Sequence, residues 1–254
     1  MLCQAVPVSF IVPAYNEEQL LGRTLRALSA AGRGLDQPFE VIVADDASTD
    51  RTAAIARESG AVVGTVNHPQ IAATRNAGAR AASGDLLIFV DADTVVDEAV
   101  IRAAVEAIGR GAVGGGCSVA FDGRLPIYAR VLLATALPVY RVAGVACGCF
   151  LFCTRDAFAA AGGFDEGLFG AEELVMSRAL HRQGRFVILR ERVTTSGRKL
   201  RAYSAREILG LLGRIVISGP QGVRRRSGLE IWYGERRNDP DMVAQTPAQI
   251  RTHD

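Results

Sequence analysis

No apolar run in this chain approaches the ~18 residues that a bilayer-spanning helix needs, so the sequence gives no helical membrane span. Cysteine is scarce and odd in number, at Cys3, Cys117, Cys147, Cys149 and Cys153. Paired disulfides are therefore not expected, and reduced, buried thiols fit a cytosolic protein. The spacing of Cys147, Cys149 and Cys153 is not a zinc pattern, and strand alternation would set all three on one face as core. A basic leader is missing as well. The first residues run into "VPVSFIVPAYNEE", read as a strand and not a signal peptide, so a cytoplasmic location is expected. No Walker-type glycine loop occurs, which removes one common backbone cradle for phosphate. A net charge of +2 gives no reason to expect nucleic acid as a partner.

What remains is ordinary globular material, 49% apolar and 22% charged, enough for one sizeable domain or a domain with an added lobe. "VSFIVPA", "FEVIVADD", "AVVGTVN" and "DLLIFVDAD" read as strands. Helical spacing falls between them: Leu20, Leu21, Leu25 and Leu28; then a helix capped by Ser48 or Asp50 and ending at Gly60; then "IAATRNAGARAAS". This alternation predicts a doubly wound, mixed but mostly parallel α/β sheet with helices on both faces. Past Val96 the pattern loosens. A helix follows, then the strand "AVGGGCSVAF" and a helical "LPIYARVLLATALPVYR" with Pro138 as kink or end. A strand and helix end at a glycine turn, and "AEELVMSRALHRQG" is a helix with Gly184 as its C-cap. From Ser204 to Ile217, Ile208, Leu211, Leu212 and Ile215 form an amphipathic stripe. Eight basic residues against one acid fall between Gly197 and Arg226, suited to phosphates, to an anionic membrane or simply to solvent.

In sheets of this kind ligands bind beyond the carboxyl ends of the strands. Tyr15-Asn16-Glu17, Asp45-Asp46 and Asp91-Asp93 all stand at such ends and are expected on one rim. Asp91 and Asp93 are one residue apart, so strand alternation points both the same way. Two such carboxylates repel each other unless a cation sits between them. A hard cation, Mg2+ or Mn2+, suits carboxylate oxygen and completes its shell with water and phosphate.

"IVPAYNEE", "VIVADDASTD", "ATRNAGARAASGDLLIFVDADT", "GGFDE" and "AEELVMSRAL" occur in that order, and the chain thereby resembles family 2 glycosyltransferases over roughly residues 6 to 185. The resemblance implies a GT-A fold and transfer of a sugar from a nucleotide-sugar, usually with inversion. It implies that Pro13, Ala14, Tyr15 and Glu17 form the loop on the base and ribose, that Asp45 bonds the base, and that Arg75 contacts the nucleotide. Asp91 takes the ribose-proximal position and Asp93 ligates the metal. The general base falls at Glu173, with Glu172 as fallback, where the family pattern has Glu-Asp and this chain has Glu-Glu.

The residues themselves leave other roles open: Asp45 as a helix cap, Tyr15 as a roof on the sheet edge, Arg75 as a structural partner of Asp91 and Asp93, and the two glutamates as dipole-favoured first-turn acids. Arg198 and Lys199 are read as a cationic flap over the diphosphate. No Gln-x-x-Arg-Trp occurs, so a single transfer is expected rather than polymerisation. The reading is then a catalytic domain over 1–200, nucleotide half about 6–95 and acceptor half about 96–200, followed by an amphipathic helix and basic tail over 201–254. Segment 205–217 either packs on the domain, lies in a membrane interface at its inner face, or joins two subunits as a homodimer. The acceptor is a small molecule or lipid-linked, and UDP is the favoured nucleotide. The rivals are a non-catalytic nucleotide-sugar-binding scaffold and a nucleotidyltransferase.

Overall fold

The computed structural model describes residues 7–218, 222–234, 237, 239 and 240. In chain order the elements are β1 (Val8–Ala14), α1 (Leu21–Arg33), β2 (Phe39–Asp46), α2 (Thr52–Glu58), β3 (Val62–Val66), α3 (Ile71–Ala81) and β4 (Leu86–Val90). Then come β5 (Thr94–Val95), α4 (Glu98–Gly109), β6 (Ala112–Phe121), α5 (Ile127–Val142), β7 (Phe150–Thr154), α6 (Arg155–Ala161) and α7 (Glu172–His181). β8 (Arg185–Thr195), α8 (Arg198–Ala202), α9 (Ala205–Ser218) and α10 (Glu230–Tyr233) close the described chain. The strands form one eight-stranded sheet ordered β3-β2-β1-β4-β7-β6-β8-β5. Pairing is parallel from β3 to β4, antiparallel on both sides of β7, parallel between β6 and β8, and antiparallel at β5.

Alternation along β1 assigns the two faces. Val8, Phe10 and Val12 join Leu21, Leu25 and Leu28 of α1 and Val100, Ile101 and Ala104 of α4 in one core layer. Ile11, Leu87 and Phe89 face the other way, onto Ala72 and Ala79 of α3 and Met176 and Leu180 of α7. Each fully buried Leu, Ile or Phe contributes ~1.5–3 kcal/mol to that sandwich. Helix α3 lies close to the sheet because Gly78 has no side chain; a Cβ there would collide with the Ile11 side chain. Three glycines in a row, Gly114, Gly115 and Gly116, let β6 fit between its neighbours. A Cβ at these positions would meet Phe152 O at 2.7 Å, the Phe152 ring at 2.6 Å and Ala146 Cβ at 2.7 Å.

Several expectations are corrected. Strand β7 begins at Phe150, so alternation does not govern the three cysteines: Cys149 packs in the α1 layer and Cys153 in the α3 layer. Helix α5 runs through Pro138 to Val142. Pro138 lies on the exposed side with Ala134, whose carbonyl loses its donor where water can reach it. Helix α7 ends with Arg182 at its C-cap, and Gly184 sits in the turn into β8. Neither Ser48 nor Asp50 is the N-cap of α2: Ser48 Oγ accepts from Asn16 N at 2.9 Å, and Asp50 Oδ1 accepts from Thr52 N at 2.9 Å beside an uncapped Arg51. Strand β8 was not anticipated at all. Ile208 and Leu211 of α9 are buried, and Leu211 shares a small core with Leu168, Val223 and Leu229. The side chain of Ile215 and residues 241–254 lie outside the described set.

Candidate active site

The parallel half of the sheet places its acids by register. Ala14 pairs with Asp45 across β1 and β2, and Asp91 follows the end of β4. The turn holding Asp91 and Asp93 is fixed from three sides: Asp91 N donates to Cys149 O at 3.2 Å, Thr24 Oγ1 to Ala92 O at 2.9 Å, and Thr94 Oγ1 pairs with Thr195 Oγ1 at 2.9 Å. Thr195 Oγ1 also lies 3.3 Å from Asp93 Oδ1.

Two arginines join these segments. Arg75, only 2% exposed, donates through Nη1 to Glu172 Oε1 at 2.6 Å, and through Nη2 to Asp91 Oδ1 at 2.9 Å and Gly148 O at 2.7 Å. Burial opposes its charge, but Asp91 and Glu172 more than offset that and keep the guanidinium protonated. Arg198, at the first turn of α8, bridges Glu17 Oε1 and Asp93 Oδ2, the latter at 3.1 Å. The expected rim therefore exists: residues from β1, β4, α3, α7 and α8 meet there.

The acids are not alike. Burial, and then the charge of Glu17, push Asp93 up to about 6 against the pull of Arg198 and Lys199. Burial, and then the charge of Glu172, push Glu173 up to about 8. Glu172 is tied to Arg75, so the two adjacent glutamates stand in different environments. Asp45 is 3% exposed, and its Oδ1 accepts no hydrogen bond from any described residue. The N-cap of α2 is Arg51, which removes the capping role from Asp45 and leaves Oδ1 a buried acceptor, which costs ~1–3 kcal/mol until a donor arrives. Tyr15 stands 50% exposed at the mouth, and Pro13 and Ala14 are buried behind it.

Backbone strain collects at the same rim. Among the described residues, the non-glycine positions with positive φ are Asn16 (49°), Ala47 (54°) and Ala171 (56°). They follow β1, follow β2 and precede Glu172. A left-handed alanine costs ~1–2 kcal/mol and persists where its surroundings hold it. Asn16 Oδ1 accepts from Thr49 N at 2.8 Å, joining two rim loops.

Sequence reasoning offered Asp91 as a structural partner of Arg75, as the structure has it, but missed Glu172. Asn76 was missed as well: it exchanges hydrogen bonds with Phe164 at 2.9 Å in both directions and donates to Glu166 Oε1 at 2.8 Å. With Arg75 5.3 Å from the Phe164 ring centroid, the "RN" pair clamps the "GGFDE" turn below α7. The alternation of apolar positions in the two segments was the available signal for burial, but nothing local announces a contact so far along the chain.

Among the described residues, no three His, Cys, Asp or Glu side chains gather as a ready-made metal cluster. The donors present nevertheless fit a hard divalent cation: Asp93 feels both Glu17 and Asp91, and a guanidinium now offsets that excess of negative charge. Such a cation would draw its other ligands from water and phosphate.

An open, mostly parallel sheet with acids at its carboxyl rim and a cationic helix opposite them is the architecture of GT-A glycosyltransferases. Residues 9–158 match the family model for glycosyl transferase family 2, and the chain belongs to that family. It is 43% identical over 94 residues to the undecaprenyl-phosphate 4-deoxy-4-formamido-L-arabinose transferase of Pseudomonas paraeruginosa, a match covering 34% of this chain and 27% of that protein. It is 34% identical over 128 residues to the validoxylamine A glucosyltransferase of Streptomyces hygroscopicus, 47% of this chain and 30% of that one. The match thus spans under a third of these relatives' length. Among solved structures, residues 1–349 of TarS from S. aureus align with a TM-score of 0.60 at 20% identity, over 84% of this chain and 66% of that one. Glucosyl-3-phosphoglycerate synthase from Mycobacterium tuberculosis, in complex with Mn2+, UDP and glucosyl-3-phosphoglycerate, aligns with a TM-score of 0.58 at 21% identity, over 90% and 80%. These likenesses establish the fold.

Proposed function

We propose that the chain moves one sugar from a nucleotide-sugar, with UDP favoured, to an acceptor hydroxyl with inversion and with a divalent cation bound. The observation that carries this is the convergence of Glu17, Asp91, Asp93, Glu172 and Glu173 around two arginines, with the unpartnered Asp45 oxygen on β2 opposite Ala14. Asp45 accepts a base N–H, and Pro13, Ala14, Tyr15 and Glu17 pack on base and ribose. Asp91 lies toward the ribose and Asp93 holds Mg2+ or Mn2+. When bound, the cation neutralises charge on the diphosphate. Mn2+ beside UDP in the mycobacterial structure supports this choice.

Glu173 accepts the acceptor's proton as the hydroxyl oxygen attacks the anomeric carbon from the face opposite the diphosphate. The bond from that carbon to the diphosphate oxygen breaks with its electron pair, and Arg198 and Lys199 meet the released charge. The high proton affinity of Glu173 suits a base. Arg75 acts by orienting Asp91 and Glu172, since its Nη1 and Nη2 are already committed to protein oxygens. The acceptor is lipid-linked, a reading supported by relatives named for undecaprenyl phosphate.

The test is Glu173→Gln. Turnover should fall ~10²–10⁴-fold while UDP with Mn2+ still raises the melting temperature as in wild type. A wild type that binds UDP but turns over no acceptor would favour the non-catalytic scaffold.

A further inference from the structure

Helix α5 is a surface helix with the composition of a buried one. Of its sixteen residues only Ala129 is buried. Ile127 is 78% exposed, Val131 61% and Val142 90%. Ile127, Val131, Thr135, Pro138 and Val142 advance by three or four positions, so they form one stripe along the helix. Arg130 and Arg141 flank that stripe on the same side by the same periodicity. No Asp or Glu occurs between Asp122 and Asp156, whereas Arg124, Arg130, Arg141 and Arg155 do.

The helix connects two functional places. At its start the Tyr128 hydroxyl lies 2.6 Å from Leu200 O and 2.8 Å from Tyr203 O, at the turn from α8 into α9. There α9 adds exposed Leu209 (53%) and Leu212 (37%), close in sequence to Arg206. At its far end Tyr140 lies within electrostatic reach of Glu173. The helix therefore runs from the flap helix toward the candidate base, with Tyr140 on the face turned away from the stripe.

We propose that α5, with the exposed leucines of α9 beside it, is an interfacial helix that seats the domain on an anionic bilayer and presents a lipid-linked acceptor near Glu173. An apolar stripe with basic flanks and no acids matches acyl chains below and anionic headgroups around them. A second copy of α5 would set arginine against arginine with no acid on that helix to pair, and Glu207 of α9 is already engaged by Arg237 at 2.8 Å. Sixteen residues of helix extend ~24 Å, short of a ~30 Å hydrocarbon core, and no described helix is long and apolar enough to cross a membrane. The helix therefore lies in the interface plane. Its use depends on the transfer reading; its existence does not.

The test uses the full chain without donor, in flotation with vesicles of phosphatidylcholine alone or mixed equally with phosphatidylglycerol. The wild type should float with the mixed vesicles only, and less as salt rises. Val131→Asp combined with Val142→Asp should lower partitioning about tenfold or more, while the thermal shift with UDP and Mn2+ stays at the wild-type value. Equal flotation of wild type and variant, or no flotation of either, overturns the proposal. So does a wild-type dimer in sedimentation that the variant dissolves, since the occupant would then be a second copy. Loss of the UDP shift in wild type would instead strike the transfer reading and leave the vesicle result standing.

Discussion

Arg75 and Glu172 stand 97 positions apart in the chain, yet Nη1 and Oε1 are 2.6 Å apart in the folded protein. The contact divides a pair of adjacent acids. Glu172 faces a guanidinium inside the core, whereas Glu173 is half-buried and held protonated to about 8. The same arginine reaches Asp91 at 2.9 Å, so one side chain sets the positions of acids from both halves of the sheet.

Removing that arginine should be costly. Arg75→Met leaves Glu172 and Asp91 without their cation, and loss of one member of a buried pair typically costs ~3–5 kcal/mol. Arg75→Lys restores charge but not the fork that serves Glu172, Asp91 and Gly148 at once. Urea titration should rank wild type above Lys and Lys above Met. A Met variant as stable as wild type would show that the pair contributes nothing.

Glu173 should leave a signature in pH. If the deprotonated form is the base, kcat/KM rises with pH and levels off above about 8. A flat profile from pH 6 to 9 would remove Glu173 from the mechanism.

The same group should affect stability in the opposite direction. The folded state holds the Glu173 proton up to about 8, whereas the unfolded chain releases it near its ordinary 4.5. Between those values the folded state binds more protons, so stability falls as pH rises. Glu173→Gln should melt close to wild type at pH 4.5 and above it at pH 8.5. Calorimetry at the two pH values measures the difference, and an unchanged gap would contradict the burial of this acid.

Asp45→Ala should weaken UDP binding about fivefold to 150-fold, the equivalent of one buried hydrogen bond at ~1–3 kcal/mol. Melting temperature without ligand should hold or rise, because an unpartnered buried oxygen is gone. Titration calorimetry with UDP and Mn2+ reads the first effect; unchanged affinity would place the base elsewhere.

Asp93→Ala should abolish the part of the UDP-induced thermal shift that requires Mn2+. Arg198→Ala uncovers Asp93 and Glu17, and should increase the shift produced by Mn2+ alone. If Asp93→Ala keeps the full metal-dependent shift, the cation is held by other groups.

Much of this was legible in the chain because the first half obeys short-range rules. "FEVIVADD" is β2 from end to end, and Leu21, Leu25 and Leu28 are buried as their spacing required. The rim acids could be located because strand ends and ligand sites coincide in parallel sheets. Strand β8 was hidden because Arg190, Glu191 and Arg192 interrupt its apolar positions, and most of its residues are only partly buried beside β6. The cysteine faces were misjudged because alternation was extended back to Cys147, three residues before β7 begins at Phe150. Arg75 with Glu172, and Arg198 with Glu17, join residues 97 and 181 positions apart. Charge pairing at that range depends on how the sheet and helices pack, not on any local pattern.

The triple glycine in β6 has a bearing on saturation mutagenesis of this chain. Replacing any of the three drives a methyl into backbone or ring atoms of an adjoining segment, so those codons should tolerate substitution as poorly as the acids do. A fitness map would then show a second intolerant stretch in a strand that carries none of the rim acids, and only abundance measured alongside turnover would separate the two kinds of loss.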